Sequence, residues 1–297
     1  MYETLGLYKY FDAVAREKSI TGAASRLYIS QPAVSTAISR LEELLGVKLF
    51  VRGNRGVELT EEGRLLHEHL SRGLAFIDAG EEKVSEIAGL RKGVLRIGAS
   101  DMTLRFFLLG AIEAFDPYAH GIKLQITNNP TPKTLEELQN GSIDLCAVSS
   151  PIELGDEFEV IPLRPIRDVF VTSLNYPIAD AVTADELSKH KLIVLERGTS
   201  SRAYVENRLF GENARSFMPD IELATSELLL DFAASGFGVA CVVEDFALPY
   251  LEQGKLKRVA LEPPLPERQI LLVYYKEIPK ASAAYKFIEL CRSMAVI

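Results

Sequence analysis

Residues 21–60 read TGAASRLYISQPAVSTAISRLEELLGVKLFVRGNRGVELT. Two short helical patterns lie close together here, and a basic, glycine-containing hairpin pattern follows. That is the layout of a winged helix-turn-helix, which places one helix in the DNA major groove. Thr21 suits the cap of a first short helix, where a hydroxyl accepts from a free backbone N–H. Ala23 and Ala24 are small enough for a second helix to cross closely, and Leu27 is the large apolar contact. Tyr28 and Ile29 form a tight turn, and Ser30 is the next cap. Pro32 falls in the first turn of the following helix, where a missing N–H costs little.

That helix runs from about Gln31 to Leu45. Val34, Ile38, Leu41 and Leu45 recur at helical spacing on one face, which predicts burial. Gln31, Ser35 and Ser39 share another face, flanked by Thr36 and Arg40. Short polar groups can approach base edges, and Gln at a helix start can pair with adenine. The plain alternative for Gln31 and Ser35 is capping and solvent exposure. Gly46 is the expected C-cap. Leu49 and Phe50 return to the core, and Gly53-Asn54 and Gly56 are turn residues. Arg52 and Arg55 sit in or beside that turn, within reach of phosphate or the minor groove. Alone, each would read as a solvated charge; beside a recognition helix, the DNA role is preferred.

The stretch resembles the N-terminal domain of LysR-type transcriptional regulators. The resemblance is carried by Ala23-Ala24, Leu27, Ser30-Gln31-Pro32, Ser35, Leu41-Glu42, Leu45-Gly46, Leu49-Phe50, Arg52, Arg55 and Leu59-Thr60 with Gly63. It is dense over the first 65 residues. Thr36 departs from the Arg or Gln that many members carry there. The resemblance implies double-stranded promoter DNA as a partner, with Gln31, Pro32, Ser35, Thr36, Ser39, Arg40, Arg52 and Arg55 as the contacting residues.

Net charge is −8 over 297 residues, which is unusual for a DNA binder until its distribution is read. Residues 1–60 hold eight Lys/Arg against six Asp/Glu, and the remainder holds 25 against 35. An acidic body with a mildly basic head suits DNA contact at one end only. Length allows two or three domains. No apolar run reaches the roughly 18 residues of a membrane helix, and MYETLGLYKY lacks the shape of a signal peptide. A cytoplasmic protein without membrane contact is expected. Cys146 and Cys241 lie in apolar strand patterns, where a small buried hydrophobe is the expected role. Three cysteines give no disulfide framework. The peroxide-sensing branch of the family keeps a reactive cysteine pair in its effector domain, and residues 147–240 contain no Cys.

Residues 60–88 carry one long helical pattern, capped by Thr60, with Glu61 and Glu62 at its positive end. Leu66, Leu70, Gly73, Ile77, Gly80, Val84 and Ile87 form a heptad seam. The two glycines imply close approach of a partner helix or local bending. An ordinary amphipathic helix within its own chain is the alternative. The family resemblance favours dimerisation through this helix, giving a homodimer or homotetramer. His67 and His69 point to different faces, so no metal pair is expected.

Beyond a basic hinge at Gly89–Gly93 with Arg91-Lys92, strands and helices alternate. This predicts an α/β fold with mainly parallel sheets. Strands are expected at 94–99, 122–127 and 143–148, then 192–197, 221–225, 239–243 and 268–277. Helices are expected at 103–115, 132–140 (capped by Thr131), 226–236 and 281–293. Proline segments 162–165 and 263–266 read as two crossovers between two α/β units. The division expected is a head over 1–59, a linker helix over 60–90 and an effector domain over 91–297. Within the last, subdomain I takes about 91–163 and 268–297, and subdomain II about 164–267. This resembles the periplasmic-binding-protein-like effector domain of the LysR family, with Gly141-x-x-Asp144-Leu145 and Gly236-x-Gly238-Val239-Ala240 matching its rhythm. Gly110 and Val243-Glu244 depart from it.

In such folds ligands sit where strand ends meet helix starts. By the family's pattern the effector contacts are Ser100, Thr103, Thr131, Thr199, Ser200, Ser201 and Ser226; helix capping is their plain alternative. Arg105, Lys133 and Arg202 could supply charge for a carboxylate, which suggests a small organic acid, whereas Asp101 opposes it. No cofactor or metal is expected. An enzyme is disfavoured by the absence of a nucleophile elbow, a phosphate loop or a C-x-x-C pair. A purely architectural DNA binder is disfavoured by the cleft pattern. RNA polymerase is a further candidate partner. The expected function is therefore a sequence-specific transcriptional regulator controlled by a small molecule.

Overall fold

The computed structural model describes residues 5–53, 56–87, 93–211, 218–278, 280 and 282–295. Two compact units divide the chain, one over residues 1–84 and the other over 85–138 and 142–297. The first begins with α1 (Leu5–Glu17), α2 (Ile20–Leu27) and α3 (Gln31–Leu45). Ser19, rather than Thr21, caps α2 and accepts from the Gly22 N–H at 3.1 Å. Thr21 lies inside the helix because the turn closes two residues earlier than its cap pattern suggested. Tyr28 ends α2 in the left-handed region at φ 56°. Ser30 occupies the N-cap position of α3 without a side-chain cap bond, and Gly46 ends the helix at φ 72°.

The core of this unit gathers Phe11, Val14, Ala23, Ala24, Val34, Ile38, Leu41 and Leu49. Leu45 departs from its expected place and is exposed, since α3 outruns the core in its last turn. β1 (Phe50–Gly53) and β2 (Gly56–Leu59) form an antiparallel hairpin with Phe50 opposite Leu59. Its turn residues Asn54 and Arg55 lie outside the described residues. Thr60 opens α4 (Glu61–Ile87), accepting from the Gly63 N–H at 2.9 Å and donating to the Lys48 carbonyl at 2.8 Å. Gly63 is required by closeness: a Cβ there would stand 2.1 Å from the Leu49 carbonyl oxygen. Along α4, Leu66 and Leu70 pack on the head, whereas Gly73, Ile77, Gly80 and Val84 are exposed. The Ile87 side chain and the hinge at 88–92 lie outside the described residues.

The second unit holds two mixed sheets. Its first segment runs β3 (Val94–Ala99), α5 (Asp101–Thr103), a π-helical turn (Leu104–Leu108), α6 (Leu109–Phe115), β4 (Lys123–Asn128), α7 (Thr131–Gln139), β5 (Leu145–Ser149) and β6 (Phe158–Ile166). Then come β7 (Asp168–Ser173), β8 (Ala181–Val182), α8 (Ala184–Leu187), β9 (Leu192–Leu195), α9 (Ser200–Phe210), β10 (Ile221–Leu223) and α10 (Ser226–Ala234). The chain closes with β11 (Val239–Val243), α11 (Glu244–Glu252), β12 (Leu256–Leu261), β13 (Arg268–Tyr275) and α12 (Ala283–Met294).

Sheet order is β4-β3-β5-β13-β6 in one lobe and β10-β9-β11-β7-β12-β8 in the other. Each lobe has three parallel strands continued by antiparallel ones, and in the second lobe β8 closes the sheet parallel to β12. The sheets are thus less parallel than the alternation predicted, because β13 and β7 enter their sheets directly from the crossovers. Pro162 and Pro165 do not form a loop. They lie within β6, an edge strand paired only with β13, where a missing N–H is tolerated, and the register shifts beside Leu163. The first crossover therefore narrows to Arg167, between β6 and β7; the second occupies 262–267. Cys146, Cys241 and Cys291 are all buried and free.

Candidate functional site

Two sites are built by this chain. On α3, Gln31, Pro32, Thr36, Ser39 and Arg40 are exposed and Ser35 is half-buried, on the side of the helix away from Val34, Ile38 and Leu41. Arg52 stands in β1 opposite Val57; its side chain and all of Arg55 lie outside the described residues. The hairpin is tied to α3 by Glu42. This buried carboxylate accepts from the Leu49 N–H at 2.9 Å, the Phe50 N–H at 3.4 Å and Lys48 Nζ at 2.6 Å. Burial acts to raise the Glu42 carboxyl, but these three bonds outweigh it and hold it below its ordinary value. Glu42 thereby fixes the strand that carries Arg52 relative to the helix that carries Gln31.

The second site is a cavity of about 470 Å³ at the carboxyl ends of β3, β4, β5, β9, β10 and β11, between the two lobes of the effector unit. Six of the seven expected effector residues line it: Ser100, Thr131, Thr199, Ser200, Ser201 and Ser226. The seventh, Thr103, does not. It is fully buried, and its hydroxyl donates to the Ala147 carbonyl at 2.8 Å. Its chemistry is spent on the capping box with Ser100, which accepts from the Thr103 N–H at 3.3 Å. Capping duties also differ from the sequence reading. Thr225, one residue before Ser226, caps α10 by accepting from the Leu228 N–H at 3.4 Å. Thr131 is the first residue of α7 rather than its cap, and it donates across the cleft to Ser200 Oγ at 3.1 Å. Ser200 Oγ also meets Ser149 Oγ at 2.8 Å. Thr199 caps α9, accepting from the Arg202 N–H at 3.3 Å.

None of the three basic residues expected to meet a carboxylate is uncommitted. Arg105 pairs with Glu227, and Lys133 with Glu136. Arg202 is buried against Glu206 at 2.5 Å and Glu222 at 3.4 Å, and donates to the Leu195 carbonyl at 2.7 Å. The lining also contains Asn128, Asn129, Ser149 and Asp168, which the sequence reading missed. Asn128-Asn129-Pro130 after a strand is a turn signal that could have flagged the first two. Asp168 is different: it pairs with Arg268, one hundred residues away, at 2.6 and 2.7 Å, both side chains being 1% exposed. Nothing local announces that pair. Cys241 also lines the cavity, and burial, followed by the Asp168 charge, pushes its thiol well above its ordinary value. That leaves it a poor nucleophile.

A winged head with a polar face on its second motif helix, a long helix with an uncovered seam, and a two-lobed α/β unit around a cavity that carries polar groups from both lobes define a ligand-responsive DNA-binding regulator. Comparison with known proteins agrees. Residues 5–64 match the family described as "Bacterial regulatory helix-turn-helix protein, lysR family", and residues 88–295 match "LysR substrate binding domain". The chain belongs to the LysR family of transcriptional regulators. A probable RuBisCO transcriptional regulator of Nostoc sp. is 28% identical over 290 residues, covering 96% of this chain and 86% of the relative. The RuBisCO operon transcriptional regulator of Allochromatium vinosum is 29% identical over 292 residues, covering 96% and 95%. Among solved structures, CbnR, a LysR family transcriptional regulator, superposes with a TM-score of 0.63 at 19% identity, over 98% of this chain and 99% of that one. The protein is accordingly a LysR-type transcriptional regulator with an effector-binding domain. Among the described residues no helix is long and apolar enough to cross a membrane.

Proposed function

We propose that this protein binds promoter DNA as a homodimer or homotetramer in the cytoplasm and is switched by a small molecule held in the cleft of its effector unit. The single observation that carries this is the cavity itself. It is walled by helix starts from both lobes, so a ligand touching both sides favours one lobe arrangement over another. A ligand with different affinity for two arrangements shifts their populations and thereby the DNA geometry of the assembly. DNA contact falls to Gln31, Pro32, Ser35, Thr36, Ser39 and Arg40 on α3 and to Arg52 and Arg55 on the hairpin. Effector contact falls to Ser100, Thr131, Thr199, Ser200, Ser201 and Ser226, with Asn128, Asn129 and Ser149 added from the lining.

The protein acts without a resident cofactor or metal and is not an enzyme. What supports this reading is a cavity lining that holds no histidine and a thiol whose ionisation burial opposes. RNA polymerase is the further partner through which DNA binding becomes transcription control.

A footprint on promoter DNA with and without the low-molecular-weight fraction of a cell extract tests the regulatory half. The protected region should change with the extract. The change should vanish in Ser200→Phe, which fills the cavity, while the footprint without extract stays. Protection that no fraction alters would remove effector control from the account.

A further inference from the structure

We infer that the effector is a small zwitterion with the charge pattern of an α-amino acid, and that Asp101 and Glu227 select its cationic group. This rests on the reading of the cavity as the effector site. The cavity has two chemically different ends, each marked by a contact across the cleft. At one end Thr131 of α7 meets Ser200 of α9. Neither helix has an acidic residue in its first turn, so both positive helix ends stand uncompensated. Beside them, Arg268 gives Nε and Nη2 to Asp168, and Nη2 also reaches Ser201 Oγ at 3.1 Å. Its Nη1 is buried and has no acceptor among the described residues. A buried guanidinium N–H without an acceptor is costly, and its partners Asp168 and Ser201 line the cavity. This end suits a carboxylate.

The other end has the opposite character. Arg105 meets Glu227 there, and Glu227 stands in the first turn of α10. Asp101 stands in the first turn of α5, exposed and without an ion-pair partner among the described residues. Asp101 and Glu227 both line the cavity, and only Glu227 is paired with the Arg105 guanidinium. This end suits an ammonium group.

The lining guanidinium of Arg202 is already matched by Glu206 and Glu222, and Arg268 by Asp168. A dicarboxylate would set one charge against Asp101 and Glu227 with no uncommitted cation among the described lining residues to answer it, a repulsive arrangement that rejects wrong ligands. A plain amine would leave the α7 and α9 end unmatched. A zwitterion answers both ends, and we put it in place of the simple organic acid suggested by counting nearby basic residues.

The test uses the full-length protein and thermal unfolding, followed by calorimetric titration. The probes are the standard amino acids, each beside the acid lacking its α-amino group, with succinate, 2-oxoglutarate and glucose 6-phosphate as plain anions. One or a few amino acids should raise the melting temperature saturably while their des-amino partners do not. Asp101→Asn and Glu227→Gln, checked for unchanged melting without ligand, should bind that amino acid at least about tenfold more weakly. If a plain anion stabilises the protein and no amino acid does, the zwitterion is wrong and effector control stands. The same holds if no probe acts while a cell extract still alters the promoter footprint. If neither probes nor extract has any effect, both readings fall. Amino-acid binding that the two variants leave unchanged would remove Asp101 and Glu227 from selection.

Discussion

At the scale of single residues, the proposed DNA recognition divides between base reading and phosphate contact. Gln31→Ala should relax base preference with a modest loss on the specific site. Arg52→Ala should weaken binding to all sequences and flatten the salt dependence by about one phosphate contact. Titrations of specific and random duplexes at several salt concentrations separate the two outcomes; equal losses on both duplexes for Gln31→Ala would remove its reading role. Glu42 supplies a second residue-scale prediction. Lys48 is 76% exposed, so that ion pair is screened and contributes little. The backbone N–H groups of Leu49 and Phe50 are what Glu42 serves. Glu42→Ala should cost about 1–3 kcal/mol by leaving a buried donor unsatisfied, read by denaturant unfolding of the full chain. Because the native carboxyl lies below its ordinary 4.5, its contribution is fully present above that value and is lost as pH falls through the depressed one. The acid limb of a stability–pH profile should therefore flatten in Glu42→Ala. The exposed position of Gln31 on α3 and the capping role of Thr60 were legible because capping and helical spacing are local. The role of Thr103 was not: a polar residue three positions after a strand looks the same from sequence whether it faces a cleft or, as here, the Ala147 carbonyl.

Elements show the same limit at longer range. α3 was legible to its last residue because Ser30, Pro32 and Gly46 bracket it chemically. β6 was hidden by Pro162 and Pro165, which argue against a strand unless one knows that it lies at a sheet edge. The pairing of β13 with β5 and β6, which makes the first lobe mixed, joins segments more than a hundred residues apart, and periodicity says nothing about such partners. In α4 the heptad seam was legible, and the exposure of Ile77 and Val84 gives it a physical meaning. Exposed branched side chains on a seam, with open Gly80 between them and open Gly73 before them, suit a partner helix. The double variant Ile77→Lys with Val84→Lys should raise the dimer dissociation constant by about two orders of magnitude, taking about 1.5 kcal/mol for each lost apolar burial. Sedimentation across a dilution series reads this directly. A dissociation constant that does not move would place the interface elsewhere.

The whole molecule separates its tasks by charge and by unit. A slightly basic head lies within a chain of net charge −8, which opposes general coating of nucleic acid and leaves the head's local contacts to choose the site. The effector unit holds its polar groups at strand ends, where a ligand can touch both lobes. This architecture was legible from the alternation of strands and helices. The charge map of the cleft was not, because it depends on which carboxylate each arginine reaches after folding. The account's central claim is that this head recognises particular sequences. The most direct measurement is selection of genomic fragments by the purified full-length protein at near-physiological salt, followed by sequencing. The account predicts a few strongly enriched fragments sharing an inverted repeat. Even, salt-labile recovery of fragments across the genome, with and without a cell extract, would contradict it.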